Sequence, residues 1–204
     1  MLFTLRPVPL LMKLHPTDHN LELASAMLEE MEDYLLSNEV FWPLERSVGR
    51  AAPRLTLGTL LLTLDQLEAM RSDMTPAQDA SLEKLIMQMD LVRGKHAVAL
   101  ERKAGREAGS RLNLWRGFVN DLEESPSRAG SYAYEVRHRV MLIRLVKMGA
   151  ESADLHAALE SARAVDQRLR RLFTVDVFIW DPRLQGTYPP EEYWHLYGHP
   201  RKET

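Results

Sequence analysis

Two Glu-x-x-His pairs are the residues in this chain whose types and spacing could do chemistry. Glu135 and His138 form the first pair, and Glu192 and His195 form the second. Carboxylate-bridged di-iron bundles use two such pairs on separate helices, with a glutamate from each of two further helices. Glutamate and imidazole together suit iron or manganese. One hypothesis is therefore a metal-dependent helical-bundle enzyme that uses Glu135 and His138, although the second pair lies in a short, proline-flanked tail.

A related set of possible ligands is Glu191, His195 and His199, which are spaced by four residues. On one helix these side chains would share a face, where a carboxylate and two imidazoles suit zinc. Gly198 and Pro200 indicate that a helix would end before His199. We therefore favour a surface tail in which the histidines are incidental. We expect no cofactor, with iron, manganese or zinc as the alternative.

Basic residues are concentrated in residues 93–171, which carry sixteen basic and ten acidic side chains. Residues 1–92 carry seven basic and fourteen acidic side chains, so the chain is bipolar. Four candidate phosphate contacts lie close together in the basic segment: Arg102, Lys103, Arg106 and Arg111. On a shared face they would attract nucleic acid and make binding depend on salt. The overall isoelectric point near 6.2 argues against a dedicated nucleic-acid binder, so this interpretation is a second alternative.

The C-terminal tail, residues 174–204, is rich in aromatic residues. Five of them are candidate partner-binding residues: Trp180, Tyr188, Tyr193, Trp194 and Tyr197. Tyrosine and tryptophan dominate the energetics of protein interfaces. The same rings could instead clamp the tail onto its own bundle, and the sequence leaves both interpretations open.

Motifs of the common enzyme classes are absent from the sequence. It contains no glycine-rich phosphate loop, no Gly-x-Ser-x-Gly elbow, no His-Glu-x-x-His and no kinase signature. It also contains no cysteine, which excludes disulfides, thiol catalysis and cysteine-ligated zinc or iron–sulfur centres. The sequence therefore favours a protein that is not an enzyme.

The elements that must position these residues are predicted to be helices. Apolar residues at three- and four-residue spacing indicate helices at about 18–37, 56–71, 76–105, a short fourth helix after Gly105 and Gly109, 131–148 and 151–172. Thr75 and Pro76 are typical of a helix start. The fifth helix is apolar on most sides, which is typical of a helix in the middle of a bundle.

The predicted fold is all-α, with a bundle of five or six helices in a single domain over residues 1–204. Pro7 and Pro9 predict an extended N-terminal segment, residues 1–16. Residues 174–180 alternate and are rich in β-formers, so they predict a strand. We expect the two terminal segments to pack on the bundle, where they could pair as a two-stranded β ribbon.

Composition is that of an ordinary globular protein, with 45% hydrophobic and 27% charged residues. No window approaches 18 uninterrupted apolar residues, and prolines interrupt the apolar N-terminus, so we expect no membrane partner and a cytoplasmic location. Bipolar charge, an aromatic tail and the missing catalytic motifs lead to one principal hypothesis. The chain is expected to be a self-associating interaction or scaffold protein whose partner is itself or another protein.

Overall fold

The fold is an α-helical bundle with a small antiparallel β ribbon, which confirms the predicted fold class. The computed structural model describes residues 16–46, 48, 54–149 and 151–201. Its helices are α1 (Thr17–Glu29), α2 (Met31–Leu36), α3 (Leu57–Ala69), α4 (Pro76–Lys95), α5 (Ala97–Glu124), α6 (Tyr132–Glu135), α7 (Arg137–Met148), α8 (Ala153–Leu172) and α9 (Pro190–Tyr193). Within these ranges no helix combines the length and the apolar character that crossing a bilayer requires.

Helix α5 is the centre of the bundle. It packs against α7 and α8, while α3 packs against α1 and α7, and α4 packs against α1. Helix α7 is covered on most sides, since Val140, Leu142 and Leu145 are all fully buried. Its central place follows from its sequence, because a helix that is apolar nearly all round must be surrounded by other elements.

The break between the third and fourth predicted helices was placed wrongly. A helix end was expected at Gly105 and Gly109, but α5 continues through both glycines. Each glycine costs a helix about 1 kcal/mol relative to alanine. Burial of Ala104 and Ala108 against the bundle outweighs that cost. The chain instead leaves helical geometry at His96, where φ is −123° and ψ is 29°.

Side-chain caps fix the beginnings of α3 and α4. Thr75 and Gln78 form a reciprocal capping box with Pro76 at the first helical position, as the sequence predicts. The Thr56 hydroxyl accepts a hydrogen bond from the Thr59 N–H at 3.0 Å and begins α3. The start of α3 is therefore fixed in place, and it forms one wall of the cavity described below.

The β ribbon lies within the tail itself. Strand β1 (Phe173–Phe178) pairs antiparallel with β2 (Tyr197–Pro200). The partner expected from the sequence was the extended N-terminal segment, of which residues 1–15 lie outside the described residues. Gly198 has a φ of 146°, and a Cβ there would lie 2.2 Å from the Thr174 carbonyl oxygen, so only glycine fits this close strand crossing.

Three aromatic residues fasten the tail to the bundle. The Trp180 Nε1–H donates to the Ala133 carbonyl at 2.8 Å, and the Tyr188 hydroxyl donates to Asp65 Oδ2 at 2.7 Å. The Tyr132 hydroxyl of α6 donates to the His195 carbonyl at 2.6 Å. The rings of Trp180 and Tyr188 are fully buried, so the tail forms part of the core.

Candidate functional site

A cavity of about 550 Å³ lies between α1, α3, α5 and the α6–α7 junction. Its described lining residues come from all four of these regions and from the connection before α3: His19, Asn20, Leu23, Phe41, Arg54, Thr56, Thr59, Leu62, Thr63, Gln66, Arg111, Leu114, Tyr134, Arg137, His138 and Met141. We call it the basic cavity, because these described residues include three arginines and two histidines but no carboxylate.

The absence of carboxylates sets the basic cavity apart from a groove of similar size on the other side of α7. That groove, of about 570 Å³, is also lined by arginines, including Arg139 and Arg170. Its four cationic side chains share that lining with three carboxylates, and two ion pairs form there, Arg139 with Asp166 and Lys147 with Glu192. Internal ion pairs therefore account for part of the positive charge in this groove, whereas Arg137 in the basic cavity forms no ion pair with a described carboxylate.

Arg111 is held at the base of the cavity by three neighbours. Its Nε and Nη2 donate to Glu107 Oε1 at 2.9 and 2.7 Å, and Nη2 also donates to the Thr56 hydroxyl at 2.8 Å. Nη1 lies 3.2 Å from Nδ1 of His138. These contacts use four of the five N–H donors of a guanidinium. One Nη1 hydrogen is not used by these contacts, and Arg111 lines the cavity.

Glu107 is the counter-charge that keeps Arg111 in the core. Its side chain is fully buried, and its two oxygens accept the Gly58 N–H at 3.2 and 3.1 Å. Gly58 lies in the first turn of α3, where unpaired N–H groups and the helix dipole favour an anion. A Cβ at Gly58 would lie 2.7 Å from Glu107 Oε1, so glycine is what allows the carboxylate to come this close.

His138 orients Arg111 and is neutral. Because Arg111 donates to Nδ1, the ring proton is assigned to Nε2, which lies 3.6 Å from Glu135 Oε2. Burial, assisted by the charges of Arg111 and Arg137, lowers the pKa of His138 to about 3. Burial also raises the pKa of the Glu135 carboxyl above its usual value.

Arg137 is a cation of the cavity lining that has no counter-charge among the described residues. It is half-buried, its guanidinium carbon lies 3.2 Å from the centre of the Tyr134 ring, and no described carboxylate forms an ion pair with it. Burial and the nearby Arg111 charge lower its pKa to about 10, so it remains positive at neutral pH. Stacking on a ring face leaves the in-plane N–H donors of an arginine available for an oxyanion.

The four residues of the metal hypothesis do not come together as ligands. Among the described residues, no group of three or more histidine, cysteine or acidic side chains could hold a metal ion. Glu192 forms an ion pair with Lys147, while His195 is fully buried. His138 has a guanidinium at Nδ1, and the two arginines beside it would repel a cation.

The zinc spacing does not lie on a helix. Helix α9 ends at Tyr193, and His199 lies in β2, where it contacts Asp176 at 3.5 Å. The expected surface tail is also wrong for His195. Both of its ring nitrogens are buried without a hydrogen-bond partner among the described residues. Burial, with Arg139 and Arg170 nearby, lowers the pKa of His195 well below its usual value.

The aromatic candidates for partner binding divide into two groups. Trp180, Tyr188 and Tyr193 are fully buried, so they clamp the tail onto its own bundle and offer no surface to a partner. Trp194 and Tyr197 are half-buried, and Trp194 carries the Arg170 guanidinium at 3.7 Å from its ring centre. Of the two interpretations that the sequence left open, the intramolecular one therefore holds for the three buried rings.

The nucleic-acid candidates do not form a shared basic face. Lys103 is buried and donates to the Ser37 and Glu39 carbonyls at 3.0 and 2.8 Å. Arg111 is buried in the cavity base described above. Arg102 and Arg106 are exposed, and Arg106 donates to a side-chain oxygen of Asn38. Lys103 and Arg111 are buried and already bonded within the chain, so they cannot contact the phosphates of a nucleic acid. Only two of the four candidates, Arg102 and Arg106, remain exposed.

Sequence reasoning missed the basic cavity, although one signal was present. Glu107 and Arg111 are four residues apart on α5. They lie on its buried face, between the apolar residues Ala104 and Trp115. A charged pair at that spacing on an apolar face indicates a buried ion pair. The lining from α1 and α3 had no comparable signal, because it meets α5 only in the folded chain.

Comparison with protein-family models, with curated proteins and with solved structures finds no match for this chain. The candidate site therefore depends on the geometry of its own residues.

Replacing Glu107 with glutamine tests the charge pair. Glu107→Gln keeps the shape of the side chain but leaves Arg111 as a buried charge without a counter-ion, which costs about 3–5 kcal/mol. We expect the free energy of unfolding in urea to fall by that amount. Glu101→Gln, at an exposed position of the same helix, is the matched control and should have little effect. Equal effects of the two substitutions would contradict this assignment.

Replacing His195 with leucine tests the buried imidazole. A lowered pKa means that the unfolded chain binds a proton below pH 6.5 that the folded chain does not, so His195 makes the protein less stable as pH falls through that value. Between pH 7.5 and 5.5 this linkage removes about 1.4 kcal/mol. Over that interval, the free energy of unfolding of His195→Leu should therefore fall by about 1.4 kcal/mol less than that of the wild type. The control, Thr174→Leu, introduces leucine at an exposed, non-titrating position of the same tail and should keep the wild-type slope.

Proposed function

We propose that this protein binds a small anionic ligand in the basic cavity. The observation that supports the proposal most strongly is Arg137, a half-buried cation that stacks on Tyr134 and has no carboxylate partner among the described residues. Partial burial of a charge without a counter-charge costs free energy, and a bound anion would supply the missing counter-charge. Arg54 also lines the cavity, and Arg111 contributes a further N–H donor to its lining.

The cavity favours binding over catalysis. Nucleophilic catalysis needs a hydroxyl or similar group in contact with a base. The Thr56 hydroxyl instead accepts hydrogen bonds from Arg111 and from the Thr59 N–H, and its hydroxyl partner is Thr59. His138 has its Nδ1 engaged by Arg111, so it is an orienting residue and not a free base.

The proposal is tested with Arg137→Gln and a panel of anions that includes phosphate, pyrophosphate and small mono- and dicarboxylates. In the wild type, at least one of these should raise the melting temperature and bind with one-to-one stoichiometry by calorimetry. Loss of a charge-assisted, two-pronged contact should weaken that binding about tenfold or more. Added salt should weaken it further, since ions screen charge attraction.

Arg116→Gln is the matched control for this experiment. Arg116 lies on α5 and donates a hydrogen bond to the Asn113 side chain on the protein surface. It does not line the cavity. It should bind the anion like the wild type. If Arg137→Gln and Arg116→Gln weaken anion binding equally, only the overall charge of the protein matters. The proposal would then be wrong.

We propose self-association as a second candidate function, on a separate surface. Met87, Leu91 and Val98 are exposed large apolar side chains, spaced by four and seven residues along α4 and the start of α5. The four-residue spacing places Met87 and Leu91 on one face of α4, while Val98 follows the helix break at His96. An exposed apolar stripe of this kind on α4 is typical of a face that packs on another helix. The sequence led us to expect self-association, and this stripe is the surface that best fits it.

Leu91→Lys tests the second candidate by sedimentation velocity. If the stripe is the contact between copies, the wild type should sediment as an oligomer that the charged substitution dissociates. Val175→Lys is the control, because Val175 is equally exposed but lies on β1. A wild type that stays monomeric at high micromolar concentration would remove this candidate.

A further inference from the structure

The lining of the basic cavity includes apolar side chains that a simple inorganic ion would not cover. Its described apolar lining consists of Leu23, Phe41, Leu62, Leu114, Tyr134 and Met141. Cavities of roughly 300–1,000 Å³ hold organic ligands of drug-like size, and this one measures about 550 Å³. The anion of the proposed function is therefore only one part of what the cavity can hold.

The rim of the cavity exposes apolar surface to water. Leu114 is 44% exposed and Tyr134 is 57% exposed, and both line the cavity. Large apolar side chains that remain exposed beside a polar cavity are typical of a ligand-binding edge. A ligand with an apolar body would cover this surface, while an inorganic ion would not reach it.

Each exposed apolar residue lies one helical turn from an arginine of the cavity. Leu114 follows Arg111 by three residues on α5, and Tyr134 precedes Arg137 by three residues across the α6–α7 junction, where Val136 keeps helical geometry. Residues three apart on a helix are neighbours on its surface. The cationic and apolar parts of the cavity are therefore adjacent on both walls, so one ligand can contact both.

We propose that the ligand is an amphiphilic anion: a carboxylate or phosphate head joined to an apolar chain or ring. This inference depends on the proposed function and adds the apolar body to it. The head accepts hydrogen bonds from Arg137 and from the remaining Nη1 hydrogen of Arg111. The body covers Leu114, Tyr134 and Phe41 and displaces water from these apolar side chains.

The inference is tested by calorimetry of the full chain. The probes differ either in their head group or in the length of their apolar chain. The probes are acetate, inorganic phosphate, hexanoate, octanoate, octyl phosphate and 1-octanol, each below its aggregation concentration. We expect octanoate to bind more tightly than hexanoate by about threefold to fourfold per added methylene. Acetate, phosphate and 1-octanol should bind much more weakly than octanoate. Octanoate and octyl phosphate together identify which head the arginines prefer.

Leu114→Ser separates the apolar contribution from the charge contribution. It should weaken octanoate binding about fivefold to tenfold and leave the weak binding of acetate unchanged. Leu36→Ser is the matched control, since Leu36 is exposed on α2 and does not line the cavity. It should bind octanoate like the wild type.

The outcomes distinguish this inference from the proposed function. If acetate or phosphate binds as tightly as octanoate, and Arg137→Gln weakens that binding, the anion site stands and the amphiphile is wrong. If 1-octanol equals octanoate and Arg137→Gln has no effect, the anion site itself is wrong. Octanoate binding with several equivalents per chain, or equal losses in Leu114→Ser and Leu36→Ser, would overturn the inference as non-specific adsorption.

Discussion

The buried pair of Glu107 and Arg111 is the interaction on which the candidate site depends. Two charges in the core are costly to desolvate and are tolerated only when their remaining donors and acceptors are satisfied. Here the Glu107 carboxylate accepts the Gly58 N–H at the start of α3, and the Arg111 guanidinium reaches Thr56 and His138. The pair therefore fixes the relative positions of α3, α5 and α7, and it points one guanidinium at the cavity that they enclose.

A second buried ion pair, between α7 and α8, shows what a structural arginine looks like in this chain. Arg139 donates to both oxygens of Asp166, which also accepts the Trp115 Nε1–H at 3.0 Å. This pair ties α7 to α8 and α5, and its charges cancel. Arg137 lies two residues earlier, on a different side of α7, and stacks on a tyrosine without a carboxylate. The contrast between neighbours is why we assign a ligand to Arg137 and not to Arg139.

The sequence predicts the helices of this fold better than it predicts the contacts between them. Apolar spacing and the Thr75–Pro76 start predict helices correctly, because both signals are local. The expected break at Gly105 is wrong, since packing of α5 outweighs a local preference. The cavity could not be predicted, because Thr56, Arg111 and Arg137 come from three separate segments whose distances only the folded chain defines. Burial also reverses the interpretation of Lys103, which resembled a solvated cation in sequence.

The aromatic tail supports the cavity without lining it. The Trp180 Nε1–H donates to the Ala133 carbonyl, and the Tyr132 hydroxyl donates to the His195 carbonyl. The tail therefore fixes Tyr132 and Ala133, which immediately precede Tyr134. At the opposite wall, Tyr188 donates to Asp65 of α3, and burial raises the pKa of that carboxyl. Both walls of the cavity are therefore attached to one segment. The buried rings of the tail, for which the sequence left an external partner and the bundle itself open, place the Tyr134–Arg137 stack against α3. A ligand bound between those walls would stabilise the docked tail as well.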